Sequence, residues 1–136
     1  MNAKSFLLCV STGEIKQLSY LTELDLSGNR LSGTVPEVIG ELTDLSFLML
    51  QDNELTGRLP SSMGNMAGAE EIILSNNKFE GLLPQNIGYL EKLRGLRVDN
   101  NGFSGPLPED WKQKGMSKFC HVRAAVLSAT KASTGC

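Results

Sequence analysis

Residues 90–108 read LEKLRGLRVDNNGFSGPLP, and the same skeleton recurs at 24-residue steps toward the N-terminus. Asparagine stands at Asn29, Asn53, Asn77 and Asn101, glycine at Gly33, Gly57, Gly81 and Gly105, and proline at Pro36, Pro60, Pro84 and Pro108. Each series keeps the step without a slip. At background frequencies of roughly 7% for glycine and 5% for proline, two such four-fold series coincide by chance about once in 10¹⁰. A fixed period of this length is the signature of a repeat array.

Apolar columns keep the same step. They run Leu24, Leu48, Ile72, Leu96; Leu26, Leu50, Leu74, Val98; and Leu31, Leu55, Phe79, Phe103. Two more follow, Val35, Leu59, Leu83, Leu107 and Ile39, Met63, Ile87, Trp111. Inside a repeat, the alternation Leu24-Asp25-Leu26 has the period of two of a strand with one buried face. Gly and Pro then break the run and turn the chain. A unit this short cannot bury its own leucines, so it stacks on its neighbours and shares a continuous core.

Segments such as Leu21 to Gly33 (LTELDLSGNRLSG) and Leu90 to Pro108 resemble the plant-type leucine-rich repeat. That family includes receptor-like kinase ectodomains, receptor-like proteins and polygalacturonase-inhibiting proteins. The resemblance implies an α/β-type repeat solenoid, an arc with a short parallel β-sheet on its concave face. About four full repeats occupy residues 18–111. Residues 1–17 form an N-terminal cap or decayed half-repeat, and residues 112–136 a basic C-terminal cap or tail. Within that tail, Phe119, Val122 and Val126 stand at helical spacing over Ser117 to Thr130, as in a short capping helix.

The conserved-looking columns have structural explanations. Each asparagine follows a strand and can turn its amide inward to bond backbone where the coil bends, forming a ladder at the core's edge. The glycines suit crowded backbone or positive φ. The prolines pre-set φ and donate no hydrogen bond, as befits a turn or strand edge. One repeat departs from the pattern. Ala69 stands where Leu21, Leu45 and Leu93 stand elsewhere, so its layer is expected to be underpacked and Ala69→Leu to be neutral or mildly stabilising.

On the concave strands, side chains between the leucines point outward. The columns are Glu23, Phe47, Glu71, Gly95; then Asp25, Met49, Ile73, Arg97; then Ser27, Gln51, Ser75, Asp99; then Gly28, Asp52, Asn76, Asn100. Most are polar, whereas Phe47, Met49 and Ile73 fall on neighbouring strands as an apolar patch. Glu23, Asp25, Asp52, Glu71 and Asp99 surround it against a single Arg97, an arrangement suited to a protein or peptide with basic flanks. The expected ligand-binding set is therefore Phe47, Met49, Ile73, Glu23, Asp25, Glu71, Arg97 and Asp99.

Catalytic and cofactor chemistry finds no foothold in the sequence. The one histidine, His121, lies beside Cys120 outside the repeats, and neighbouring residues point apart. Phosphate-cradling GxxxxGK[ST], GxGxxG after a strand, and HExxH are all missing. Consecutive carboxylates such as Glu70 and Glu71 are expected to face opposite sides of a strand. No enzyme activity, metal or cofactor is implied.

The net charge of −2 conceals an asymmetry. Residues 1–111 hold fifteen acids against eight Lys and Arg, and residues 112–136 hold five basic residues and no acid. Such a spread suits a solvated segment, and nucleic-acid binding is not expected. No apolar run approaches the roughly 20 residues of a membrane span. The stretch Phe6-Leu7-Leu8-Cys9-Val10 is shorter than a secretory core of roughly 7–15 residues. Three cysteines, Cys9, Cys120 and Cys136, cannot all pair within the chain, and no Asn-x-Ser/Thr sequon occurs. These features point to a reducing compartment such as the cytoplasm, and the resemblance points to the cell surface or secretion. The expected function is a protein- or peptide-binding recognition module, a fragment or short form of a receptor-like signalling protein. An inhibitor of a secreted cell-wall hydrolase is the alternative.

Overall fold

In the computed structural model, which describes residues 16–106 and residue 108, each repeat contributes a strand, a bend, a second shorter strand and a 3-10 turn. The first strands are β1 (Glu23–Asp25), β3 (Phe47–Met49), β5 (Glu71–Ile73) and β7 (Gly95–Arg97). They pair in parallel in the order β1-β3-β5-β7, with Leu24, Leu48, Ile72 and Leu96 in one register row and buried. The expected parallel sheet is therefore present, at the expected positions.

A second parallel sheet was not anticipated. Strands β2 (Ser32–Gly33), β4 (Glu54–Gly57), β6 (Lys78–Gly81) and β8 (Gly102–Phe103) pair in that order. Strands this short leave almost no alternation to read in the sequence. The helical component is entirely 3-10 among the described residues. Three five-residue turns, η2 (Glu37–Glu41), η3 (Ser61–Asn65) and η4 (Gln85–Tyr89), follow the shorter η1 (Lys16–Leu18). Pro36, Pro60 and Pro84 immediately precede η2, η3 and η4, so these prolines start helical turns. Glycines keep the turns close-packed: a Cβ on Gly40 would lie 2.8 Å from the Ser62 carbonyl carbon.

The core fills the space between sheets and turns. Every described residue of the Leu31, Val35 and Ile39 columns is buried, and the rings of Phe79 and Phe103 stack with centroids 5.9 Å apart. At the core's edge the asparagines form the expected ladder. Asn77 Nδ2 donates to the Leu50 carbonyl of the preceding repeat at 2.9 Å and to Leu74 in its own at 3.1 Å, while its Oδ1 accepts from the Leu55 amide at 3.0 Å. Asn53 does the same one repeat earlier with Leu26, Leu50 and Leu31. Each amide thus satisfies buried backbone groups in two repeats and holds the repeats together. The expected positive φ is found at Gly33, Gly57, Gly81 and Gly105.

Ala69 is buried, between the buried Leu45 and Leu93. The adjoining Gly68 amide donates to the Thr43 carbonyl at 2.8 Å. Residues 1–15 of the expected N-terminal cap or half-repeat, the capping helix at Ser117 to Thr130, the tail 112–136, the three cysteines and His121 lie outside the described residues.

Candidate functional site

Parallel pairing without slippage turns the outward columns into rows. Glu23, Phe47, Glu71 and Gly95 are register partners across the first sheet, and Asp25, Met49, Ile73 and Arg97 form the adjacent row. Phe47 therefore stands between two glutamates, and Met49 between Asp25 and Ile73. The three apolar residues adjoin as expected, but unequally. Phe47 is 39% exposed, whereas Met49 and Ile73 are half-buried, so Phe47 dominates the patch.

Gly95 ends its row without a side chain. A Cβ there would meet Glu71 Cγ at 3.3 Å, so the glycine leaves the Glu71 chain room to lie across the sheet. The result is a notch of about 400 Å³ bordered by Phe47, Glu70, Glu71, Arg94, Gly95 and Arg97. Two details depart from the sequence reading. Glu70 precedes β5, so strand alternation does not apply to it, and both glutamates border the same notch. Arg94, just before β7, joins Arg97 there, so the basic side of the face is a pair. Its signal in the sequence is Arg94-x-x-Arg97, which strand alternation does not reach because Arg94 precedes β7.

The face is thus acidic at β1 through Glu23 and Asp25, apolar at its centre, and basic at β7. Among the described residues the ion pair formed is Lys78 to Glu54 at 3.3 Å, so neither arginine of the face is paired. Asp25 is exposed, and its carboxyl is held below the ordinary carboxylate value, first by the Ser27 hydroxyl and then by the Ser27 amide. Asp99 is partly engaged, since its Oδ1 accepts from the Ser75 hydroxyl at 2.7 Å.

Beside these rows runs a second ladder that the sequence reading missed. Asn100 Nδ2 donates to Asn76 Oδ1 at 2.6 Å, and Asn76 Nδ2 to Asp52 Oδ1 at 2.7 Å. Gly28, Asp52, Asn76 and Asn100 all take positive φ, between 54° and 65°. A column of Gly, Asp and Asn is the signal for that conformation, because these types tolerate the left-handed region best. The side chains of Asp52 and Asn76 are therefore tied together at the strand ends, while Asp52 stays exposed beside the acidic rim. Among the described residues no cluster of His, Cys, Asp or Glu could hold a metal ion, and no helix is long and apolar enough to cross a membrane.

A model of the Leucine Rich Repeat family matches residues 20–42, 44–66 and 69–90. The chain belongs to the leucine-rich-repeat family. Solved structures of leucine-rich-repeat proteins superpose on it with substantial identity. A chain of the BIR3–SERK2 complex from Arabidopsis thaliana is 34% identical with a TM-score of 0.70, over 81% of this chain and 58% of that one. The ectodomain of the Arabidopsis receptor kinase HAESA, in complex with an N-terminally extended IDA peptide hormone, is 36% identical with a TM-score of 0.68, over 74% of this chain and 17% of that one. A plant ice-binding protein is 37% identical with a TM-score of 0.66, over 72% of this chain and 31% of that one. This leucine-rich-repeat chain thus spans less than two thirds of each of these neighbours. No curated protein matched significantly.

Proposed function

We propose that this leucine-rich-repeat chain is a recognition module that binds an extended peptide, free or as a segment of a larger protein, across its first sheet. The observation that carries the reading is Phe47, an exposed aromatic ring at the centre of a face with Glu23 and Asp25 on one side and, on the other, Arg94 and Arg97 beside Glu70 and Glu71, neither arginine ion-paired among the described residues. Likeness to the HAESA ectodomain, solved with a peptide hormone, supports a peptide ligand and a receptor-like role. Ice binding has less support, since it needs a regular ladder and the rows change chemical type at every step, from Glu23 to Phe47 to Glu71 to Gly95.

Four strands at about 4.8 Å spacing extend about 14 Å, the length of four to five extended residues at about 3.3 Å each. The fitting ligand carries a basic residue over Glu23 and Asp25, an apolar one over Phe47, and an acidic one over Arg94 and Arg97. This extends the basic-flanked partner read from the sequence to one with charges of both signs. A phenylalanine side chain of roughly 200 Å² that is two-fifths exposed has about 80 Å² left to bury, worth about 2 kcal/mol or about thirtyfold in affinity. The test is a displayed peptide library selected on the wild-type chain, with Phe47→Ser/Met49→Ser as the comparison after circular dichroism shows both folded. Enrichment of the basic–apolar–acidic pattern, lost on the double variant, supports the reading. Equal enrichment on both proteins removes this face from consideration.

A further inference from the structure

The third repeat is irregular in a second way. Where the second and fourth repeats carry Thr43-Asp44 and Glu91-Lys92, it carries Ala67-Gly68. A Cβ on Gly68 would stand 2.6 Å from the Thr43 carbonyl oxygen and 3.0 Å from the Asp44 carbonyl carbon, so only glycine lets the third turn sit this tightly on the second. The bond from the Gly68 amide to Thr43 has no counterpart between Lys92 and Ala67 among the described residues. An open cleft of about 750 Å³ lies across these turns, beside the N-terminal ends of the first-sheet strands. Its volume falls within the range of about 300–1,000 Å³ typical of small-molecule sites.

The lining decides the chemistry of the occupant. On the fourth-repeat side stand Tyr89, Glu91 and Lys92, with the Tyr89 ring 66% exposed. The earlier repeats contribute Asp44 and the hydroxyls of Thr22, Thr43 and Ser46. An apolar metabolite would call for an enclosed apolar lining, and this cleft is open and rich in hydroxyls. An anion would call for positive charge, and two carboxylates here outnumber the one ammonium group. A sugar ring presents an apolar C–H face to an amphipathic aromatic ring and a rim of hydroxyls to short donors and acceptors. Four repeats at about 4.8 Å spacing extend about 14 Å, which favours a chain of rings over a single one. We propose that this cleft binds a short neutral oligosaccharide, stacked on Tyr89 and hydrogen-bonded by Asp44, Glu91 and the hydroxyls opposite. The cleft adjoins the Phe47 face but shares no lining residue with the notch there, and the proposal does not depend on peptide binding.

The test is saturation-transfer-difference NMR on the full chain, with cellotetraose and maltotetraose as neutral probes and tetragalacturonate as the charged one. Saturation is expected to reach ring C–H protons of a neutral probe at millimolar concentration. Ala67→Gln, which fills the cleft from an exposed position, is expected to abolish it. Tyr89→Ala is expected to weaken binding at least about threefold, the loss of one aromatic contact. Phe47→Ser should leave the signal unchanged. No transfer to either neutral probe, a signal that survives both cleft variants, or tighter binding of tetragalacturonate would each overturn the proposal.

Discussion

Asn77→Ala tests whether the asparagine ladder holds adjacent repeats together. The substitution removes donation to Leu50 at 2.9 Å and Leu74 at 3.1 Å, and acceptance from the Leu55 amide at 3.0 Å. The two carbonyls are not orphaned, since Asn53 still donates to Leu50 and Asn101 to Leu74. The Leu55 amide, in a fully buried residue, loses its acceptor. One orphaned buried amide costs about 1–3 kcal/mol, and two lost bonds add a net of about 0.5–1.5 kcal/mol each, for a total of about 2–6 kcal/mol. Asn29 is the internal control. It is exposed and, among the described residues, donates to Leu26 and Ser27 within its own repeat, so Asn29→Ala should cost less than about 1 kcal/mol. Urea unfolding followed by far-ultraviolet circular dichroism reads both variants from midpoint and slope. A loss below about 1 kcal/mol at Asn77, or equal losses at the two positions, would refute the reasoning.

Ala69→Leu should be neutral or mildly stabilising in the same assay, because it restores the leucine that this layer lacks; a loss of more than about 1 kcal/mol would show that the layer has closed around alanine. Ser27→Ala should move the Asp25 carboxyl up toward the ordinary carboxylate value, part of the way only, since the backbone amide at position 27 still donates. The sign follows from a folded value held low: the contribution is present above the unfolded carboxylate value and fades as pH falls through the folded one. A carboxyl-carbon NMR titration reads the shift, and an unmoved Asp25 would mean that the hydroxyl contributes nothing.

Much of this fold was legible because the repeat samples each structural demand four times. Gly33 and its successors take positive φ, Asn53 and Asn77 bond across repeats, and the leucine columns are buried. Less was legible where one residue type answers to two demands. Pro36, Pro60 and Pro84 suit a strand edge and a helix start equally well, and they start 3-10 turns. Two-residue strands such as β2 and β8 carry no period, so the second sheet left no trace. The bond from the Gly68 amide to the Thr43 carbonyl was not legible, because it joins backbone groups of two repeats without a side chain to mark it. At the candidate site, strand alternation placed Phe47, Glu71 and Arg97 correctly on one face. It missed Arg94 and Glu70, which sit just outside the strands, where side-chain direction no longer follows a period of two.

The most direct test of the peptide-binding account is a calorimetric titration of wild type and Arg97→Glu with the peptide most enriched on the wild-type face, together with its partner in which the acidic residue is replaced by lysine. The account predicts that Arg97→Glu weakens the original peptide at least about fivefold, the equivalent of about 1 kcal/mol. It also predicts that the lysine peptide regains affinity on the variant and loses it on wild type. Equal affinities across all four pairings would contradict a charge-ordered binding face centred on Phe47.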